Sequence, residues 1–198
     1  MPAKPHPEPP SGFGSARLST TRRTRRWYRV HGVGRGPLFF GKGGGNRFDA
    51  PAGEFGVLYV GSDAHCAFIE TFGHATGVRS VTMGELSARG IAVITSVRPL
   101  RLLDLTGKGL ARIGADARLT SGDDYGLSHR WSKAVHDHPI LPDGILYRAR
   151  HDPNRLSAAI FERVAPALAV VSDTTFIDPA YAPHLGRILD DYRFGLIP

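Results

Sequence analysis

Cysteine is almost absent from this sequence. The 198 residues contain a single one, Cys66, so the chain can form no intramolecular disulfide. One unpaired thiol is typical of a reducing compartment, which argues against a disulfide-stabilised secreted scaffold. No apolar run approaches the roughly 18–20 residues that a membrane-spanning helix needs. Because no apolar segment follows the N-terminal arginines, we expect no secretory signal and a cytoplasmic location.

Acidic residues are scarce near the N-terminus. Residues 1–30 contain seven Lys or Arg residues against Glu8 alone, so this segment carries +6 of the net charge of +7. Residues 31–198 are nearly neutral, whereas a nucleic-acid-binding fold more often spreads basic charge over its body. Residues 1–26 are rich in proline, serine and arginine without periodicity, which predicts a disordered basic leader. We therefore expect this leader and a single domain over residues 27–198.

The sequence argues against three common kinds of functional site. His136 and His138 face apart on a helix, and no other His or Cys cluster has metal-ligand spacing, so we expect no metal. A Gly-x-Ser-x-Gly elbow is missing, which argues against a serine hydrolase. The glycine loop over residues 41–46 does not end in Gly-Lys-Ser/Thr, so it is not a Walker loop.

Short apolar and β-branched runs bounded by polar residues or glycine predict strands. They cover residues 27–30, 57–60, 79–82, 91–95, 100–105, 145–147, 159–161 and 167–171. Helices are predicted over residues 63–72, 125–136 and 178–192, with a short one within 106–113. Because strands outnumber helices without a regular βαβ alternation, the pattern predicts an α+β fold rather than a doubly wound sheet.

One stretch, residues 43–72, collects side chains suited to a phosphate-bearing ligand. A glycine-rich loop carries Arg47, a buried strand carries Tyr59, and the following helix carries Glu70. Glycine has no Cβ, so the backbone of this loop can approach a ligand closely. A helical wheel places Glu70 opposite Phe68, on the solvent side of the helix. A cleft is also filled with solvent, so this position is compatible with a residue that lines a cleft. Taken residue by residue, these side chains could equally be solvated charges and a core aromatic.

The order of several short motifs resembles the RES-domain family, which is named for an arginine, a glutamate and a serine. The motifs are Tyr28-Arg29, Asn46-Arg47-Phe48, Leu58-Tyr59-Val60, Glu70 on the next helix, and the strand start Asp143-Gly144-Ile145. The resemblance covers residues 27–172 and implies that Arg29, Glu70 and Ser128 are the eponymous trio. Ser132, one helical turn further on, is the alternative serine.

The resemblance implies an ADP-ribosyltransferase-like fold with a mixed or antiparallel β core, flanking helices and NAD in a cleft. It implies that Glu70, Arg29, Tyr59 and Ser128 are catalytic. It further implies that NAD contacts Arg29, Arg47, Tyr59, Tyr28 and Ser128. Members of this family consume NAD as a substrate and are toxins, neutralised by an antitoxin that carries a helix-turn-helix DNA-binding domain.

Three functions follow as expectations. The first is a toxin that cleaves the nicotinamide–ribose bond of NAD, with water or inorganic phosphate as the acceptor. The second is an enzyme that transfers ADP-ribose to a protein acceptor. The third, from another class, is a non-catalytic nucleic-acid-binding module that uses the arginine-rich leader, and deletion of residues 1–26 would separate it from the other two.

Overall fold

The computed structural model of the chain describes residues 6–23, 26–75 and 77–198. An eight-stranded sheet with the order β1-β6-β7-β8-β3-β2-β5-β9 forms its centre. Neighbouring strands are antiparallel, except for the parallel pair β6 and β7. β4 and β10 form a separate parallel pair. The strands are β1 Thr20–Arg23, β2 Trp27–Gly32, β3 Val57–Gly61, β4 Ser80–Thr82, β5 Arg89–Ser96, β6 Leu100–Asp104, β7 Gly144–Arg148, β8 Leu156–Phe161, β9 Leu168–Thr175 and β10 Gly195–Ile197.

Helices pack on the sheet and connect its strands. They are α1 Ala64–Phe72, α2 Met83–Ser87, α3 Lys108–Arg112, α4 Arg118–Ser121, α5 Tyr125–His136 and α6 Ala182–Tyr192, with 3-10 turns at Phe13–Ser15 and Glu162–Ala167. The carboxylate of Asp63 caps α1 by accepting from the backbone N–H of Cys66 at 2.8 Å. α5 has the predicted bounds, and Asp124 caps it in the same way. No helix among the described residues is long and apolar enough to cross a membrane.

The apolar core consists of three clusters that follow the alternation of side chains along the strands. On β3, Val57 and Tyr59 belong to the cluster under α5, whereas Leu58 and Val60 point to the opposite face. A third cluster packs α1 and α6 against β2 and β5. Because consecutive strand residues face opposite sides, each central strand contributes to two clusters.

The sheet opens between β3 and β2, the fifth and sixth strands of its order. β2 pairs with β5 over six positions, but it pairs with β3 at one position only, Tyr28 opposite Gly61. Gly61 also lets the first turn of α1 approach β3, since a Cβ there would lie 2.8 Å from the backbone nitrogen of Ala67. The strands diverge beyond this point, and the gap between them is where a ligand can enter.

The described part of the N-terminal leader is folded onto the domain. β1 pairs with β6 over four positions. Phe13 is 4% exposed, and its ring meets the Trp131 ring edge-on at 5.4 Å. The indole N–H of Trp131 donates to the carbonyl of Pro7 at 3.0 Å. The predicted disorder of residues 1–26 is therefore wrong for residues 6–23, because their few apolar groups find partners far away in sequence; residues 1–5, 24 and 25 lie outside the described part.

Candidate active site

A cleft of about 1190 Å³ lies where β2 and β3 diverge. The glycine-rich loop forms one wall, and α1 forms another. Five of the residues predicted for the site line this cleft, namely Tyr28, Arg29, Arg47, Tyr59 and Glu70. The structure thus brings them together from two strands, one loop and one helix.

Arg29 bridges the opening between the two strands. Its guanidinium donates to the carbonyl of Tyr59 at 2.9 Å and to the carbonyl of Phe39 at 3.1 Å. Burial lowers the pKa of Arg29 to about 10, so the side chain is still charged at neutral pH. Among the described residues it forms no ion pair with a carboxylate, and its Nε has no hydrogen-bond partner. This half-buried cation therefore lacks a counter-ion within the described part of the protein.

Arg47 is held at the cleft by groups that leave its charge uncompensated. Its guanidinium donates to the carbonyl of Gly122 at 2.5 Å and lies 4.8 Å from the centre of the Tyr125 ring. The residue is 6% exposed and, like Arg29, has no carboxylate ion pair among the described residues. Two arginines without a carboxylate partner on one cleft can bind an anion that carries two negatively charged groups, such as a diphosphate.

Tyr59 organises the loop that carries Arg47. Its hydroxyl donates to a carboxylate oxygen of Asp49 at 2.9 Å and accepts from the backbone N–H of Phe48 at 2.8 Å. The other oxygen of Asp49 accepts from the backbone N–H of Asn46 at 3.0 Å. Burial raises the pKa of Tyr59 well above its ordinary value, and the charge of Asp49 adds to this effect. Asp49 was not predicted, although its position two residues after Arg47 in a glycine-rich loop was a possible signal.

Glu70 presents a half-buried carboxylate to the cleft from α1. One oxygen accepts from the backbone N–H of His151 at 3.0 Å. Burial raises the pKa of Glu70 above its ordinary value of 4.5, while the hydrogen bond from His151 and the positive charges of His74 and Arg47 oppose the rise. The carboxylate is thus oriented by the protein, with one oxygen engaged by the backbone.

The RES domain family model matches residues 26–181, which is most of the chain. This protein belongs to the RES domain family. A protein of Sinorhizobium fredii described as "Probable toxin y4kH" is 28% identical over 117 residues, which are 59% of this chain and 90% of that protein. A chain of the crystal structure of the M. tuberculosis MbcT–MbcA toxin–antitoxin complex superposes with a TM-score of 0.67 at 22% identity, covering 84% of this chain and 91% of that one.

The structural likeness concerns the fold of this RES domain. The predicted α+β class is confirmed, with a mostly antiparallel sheet and flanking helices. A cleft, which the resemblance implies, lies between β2 and β3.

The serine expected from the RES resemblance does not lie in the cleft. Ser128 is fully buried, and its hydroxyl donates to the carbonyl of Leu119 at 3.0 Å. The alternative, Ser132, is also buried and donates to the carbonyl of Phe48 at 2.6 Å. Both hydroxyls bind backbone carbonyls because the face of α5 that carries Ser128 and Ser132 packs against the protein. Ser128 does not line the cleft, so its predicted catalytic and NAD-binding role stays a prediction, and the hydroxyl of Ser132 holds the backbone of the Arg47 loop.

Another serine of the RES domain, Ser157 on β8, does line the cleft. It lies opposite Tyr147 of β7 in the strand register. Burial raises the pKa of Tyr147, and the neighbouring charge of Glu70 raises it further. A polar residue inside the apolar run Leu156–Phe161 was the signal that sequence reasoning missed. Cys66 lies beside Ser157, and burial raises the pKa of its thiol to about 11, so it is protonated at neutral pH.

The histidines considered as metal ligands have other partners. His136 stacks on Phe55 with the ring centres 3.9 Å apart. His138 donates from Nε2 to the carbonyl of Ala16 and accepts at Nδ1 from the backbone N–H of Ile140. Within residues 6–23, 26–75 and 77–198, no group of three or more His, Cys, Asp or Glu side chains has the arrangement of a metal site.

Proposed function

We propose that this protein is a toxin enzyme that cleaves the bond between nicotinamide and ribose in NAD⁺. The observation that carries the proposal is that Arg29 and Arg47, both without a carboxylate partner among the described residues, line the same cleft as Glu70. The two cations suit the diphosphate of a dinucleotide, and the carboxylate suits the positive charge that develops on the ribose. Membership of the RES domain family and the similarity to a probable toxin support the toxin role.

The chemistry needs only one carboxylate. When the bond between C1 of the ribose and the nicotinamide nitrogen breaks, the electron pair stays on the ring, which leaves neutral. No acid has to protonate the leaving group, in contrast to an ordinary glycoside. Glu70 stabilises the oxocarbenium-like transition state, while Tyr59 and Tyr28 flank the ring and ribose. Ser157, rather than Ser128, supplies the hydroxyl at the floor of the cleft.

The acceptor decides the product. Attack by water forms the new bond to C1 and releases a proton, which yields ADP-ribose and nicotinamide. Attack by inorganic phosphate yields ADP-ribose-1″-phosphate. Attack by a side chain of another protein would make the enzyme an ADP-ribosyltransferase. None of these reactions requires a metal. We propose that the acceptor is a small molecule, water or phosphate, and that the enzyme acts in the cytoplasm.

We further propose that a cognate antitoxin neutralises the enzyme. The solved structure with the same fold comes from a toxin–antitoxin complex. A partner that covers the cleft would keep NAD away from Glu70, and a helix-turn-helix DNA-binding domain on that partner would link the complex to its own promoter. The toxin itself would then contact nucleic acid only through the antitoxin.

The test is chromatography of the products after incubation with NAD⁺, with and without phosphate, for the parent protein and Glu70→Gln. We expect nicotinamide release by the parent and a loss of at least about a hundredfold in Glu70→Gln, since a group that stabilises charge in a transition state contributes ~3 kcal/mol. Glu85→Gln is the matched control: Glu85 is exposed on α2, and glutamine can keep its cap of that helix. Equal NAD loss by parent and Glu70→Gln would contradict the mechanism.

A further inference from the structure

The outer edge of the large sheet at β1 carries a group of arginines, which we call the basic edge. It consists of Arg22 and Arg23 of β1, Arg101 of β6, and Arg112 at the end of α3. The guanidinium of Arg112 donates to the hydroxyl of Ser19, just before β1. Arg22, Arg23 and Arg112 are exposed. None of these residues lines the cleft, so the basic edge is separate from the proposed active site.

The strand register places two like charges side by side. Arg22 lies directly opposite Arg101 in the antiparallel pair of β1 and β6. Like charges at directly opposed positions destabilise a sheet unless an anion lies between or beside them. The nearby carboxylate of Asp143 is bound by both terminal nitrogens of Arg98, at 2.7 and 2.9 Å. Among the described residues, the four arginines of the basic edge form no ion pair.

The backbone of β1 is available on its outer side. β1 is the terminal strand of the sheet, and among the described residues β6 is the one strand that pairs with it. Terminal strands present unpaired N–H and C=O groups that can accept another strand. The basic edge therefore offers backbone hydrogen bonds and positive side chains together.

The distribution of the arginines over the two faces indicates the kind of partner. Consecutive strand residues point to opposite faces, so Arg22 and Arg23 lie on different sides of the sheet. A nucleic acid backbone lying along one face would reach only one of them. A peptide strand added at the edge places its own side chains on both faces and can meet both charges.

We propose that the basic edge binds an extended acidic segment of a partner protein, which adds a strand next to β1. Acidic residues at two successive positions of that segment pair with Arg22 on one face and Arg23 on the other. A carboxylate of the added strand then lies beside Arg22, which is itself opposite Arg101. This negative charge relieves the repulsion between the two guanidinium groups. This binding is independent of NAD cleavage.

The experiment measures fluorescence anisotropy of a labelled peptide in which Glu–Glu pairs alternate with Val–Thr pairs. Three parallel probes are used: the same peptide with alternate backbone amides N-methylated, a single-stranded DNA and a duplex DNA of equal charge. The variant Arg22→Glu/Arg23→Glu is compared with Arg79→Glu/Arg187→Glu, which changes the net charge equally at exposed positions elsewhere. We expect the unmethylated peptide to bind most tightly, and we expect the β1 variant alone to lose roughly tenfold or more in affinity.

A second measurement needs no variant. On the parent protein, peptide binding should slow amide hydrogen exchange in Thr20–Arg23, since new backbone hydrogen bonds form there. Equal binding of the N-methylated peptide would overturn the proposal, because charge alone would then explain the affinity. Tighter binding of either DNA would overturn it in favour of a nucleic-acid surface. Absence of peptide binding, with self-association of the β1 variant, would also overturn it, because the arginines would then serve to keep copies of this chain apart.

Discussion

Arg29 combines a structural and a proposed functional role in one side chain. Its guanidinium joins β2 to the backbone of β3 where ordinary strand pairing has ended. A half-buried cation without a carboxylate partner is costly, and its reduced pKa reflects that cost. Such an arrangement is expected where an anionic ligand completes the charge balance. The residue therefore connects the opening of the sheet with the diphosphate recognition that we propose.

Glu70 determines the expected pH dependence. Since burial raises its pKa above 4.5, the carboxylate becomes protonated at a pH where an exposed glutamate is still ionised. The proposed mechanism needs the ionised form, so kcat/KM, which reports the free enzyme, should fall as the pH decreases through this raised pKa and should be constant above it. The pH profile of NAD cleavage should thus show an acid limb with its midpoint above 4.5. A midpoint at or below 4.5 would contradict the role of this carboxylate.

The raised pKa of Glu70 also predicts that the variant Glu70→Gln retains its fold. For an acid whose pKa is higher in the folded than in the unfolded state, ionisation lowers the free energy of unfolding as the pH rises through that window. Glutamine removes the charge and can still accept the hydrogen bond from His151. We expect the denaturant midpoint of this variant to equal or exceed that of the parent at neutral pH.

The two serines Ser157 and Ser128 form a matched pair for testing the site. Ser157→Ala should lower kcat/KM by roughly tenfold, because a hydroxyl is lost from the floor of the cleft. Ser128→Ala should leave kcat/KM unchanged and lower the free energy of unfolding by about 1–2 kcal/mol, because the carbonyl of Leu119 loses its partner. Product assays and urea unfolding of both variants check this, and the reverse pattern would restore Ser128 to the site.

At the level of elements, α5 links the leader to the cleft. On one side its Trp131 packs against Phe13, and on the other its Ser132 and His129 hold the backbone of the Arg47 loop. The leader thereby supports the helix that supports the loop. Deletion of residues 1–26 would remove β1 and Phe13 as well, so it cannot serve as a neutral truncation.

Phe13→Ala tests this packing. Because Phe13 is buried against Trp131 and His138, its loss should lower the free energy of unfolding by about 3–4 kcal/mol. Urea unfolding at an unchanged m-value measures the effect. Val97→Ala is the control, since Val97 is 79% exposed and should change the stability by less than about 0.5 kcal/mol. A Phe13→Ala protein as stable as the control would mean that the leader contributes nothing to the fold.

At the level of the whole molecule, the sheet carries two separate features at different places. The cleft opens between the fifth and sixth strands of the order, whereas the basic edge lies at the first. The cleft is lined by Arg29 and Arg47, whereas the basic edge carries Arg22, Arg23, Arg101 and Arg112. This separation lets substrate cleavage and partner binding be examined one at a time.

The sequence by itself determined the elements whose signals are local. The helices α1 and α5 and the strand β3 follow from caps and apolar periodicity, and the loop, strand and helix that carry Arg47, Tyr59 and Glu70 are read from one short stretch. Only the tertiary structure decided the rest. β1 has no apolar alternation and forms because β6, about eighty positions away, pairs with it. Ser157 replaces Ser128 in the cleft because helix rotation and strand register, which no short motif encodes, decide which hydroxyl faces the opening.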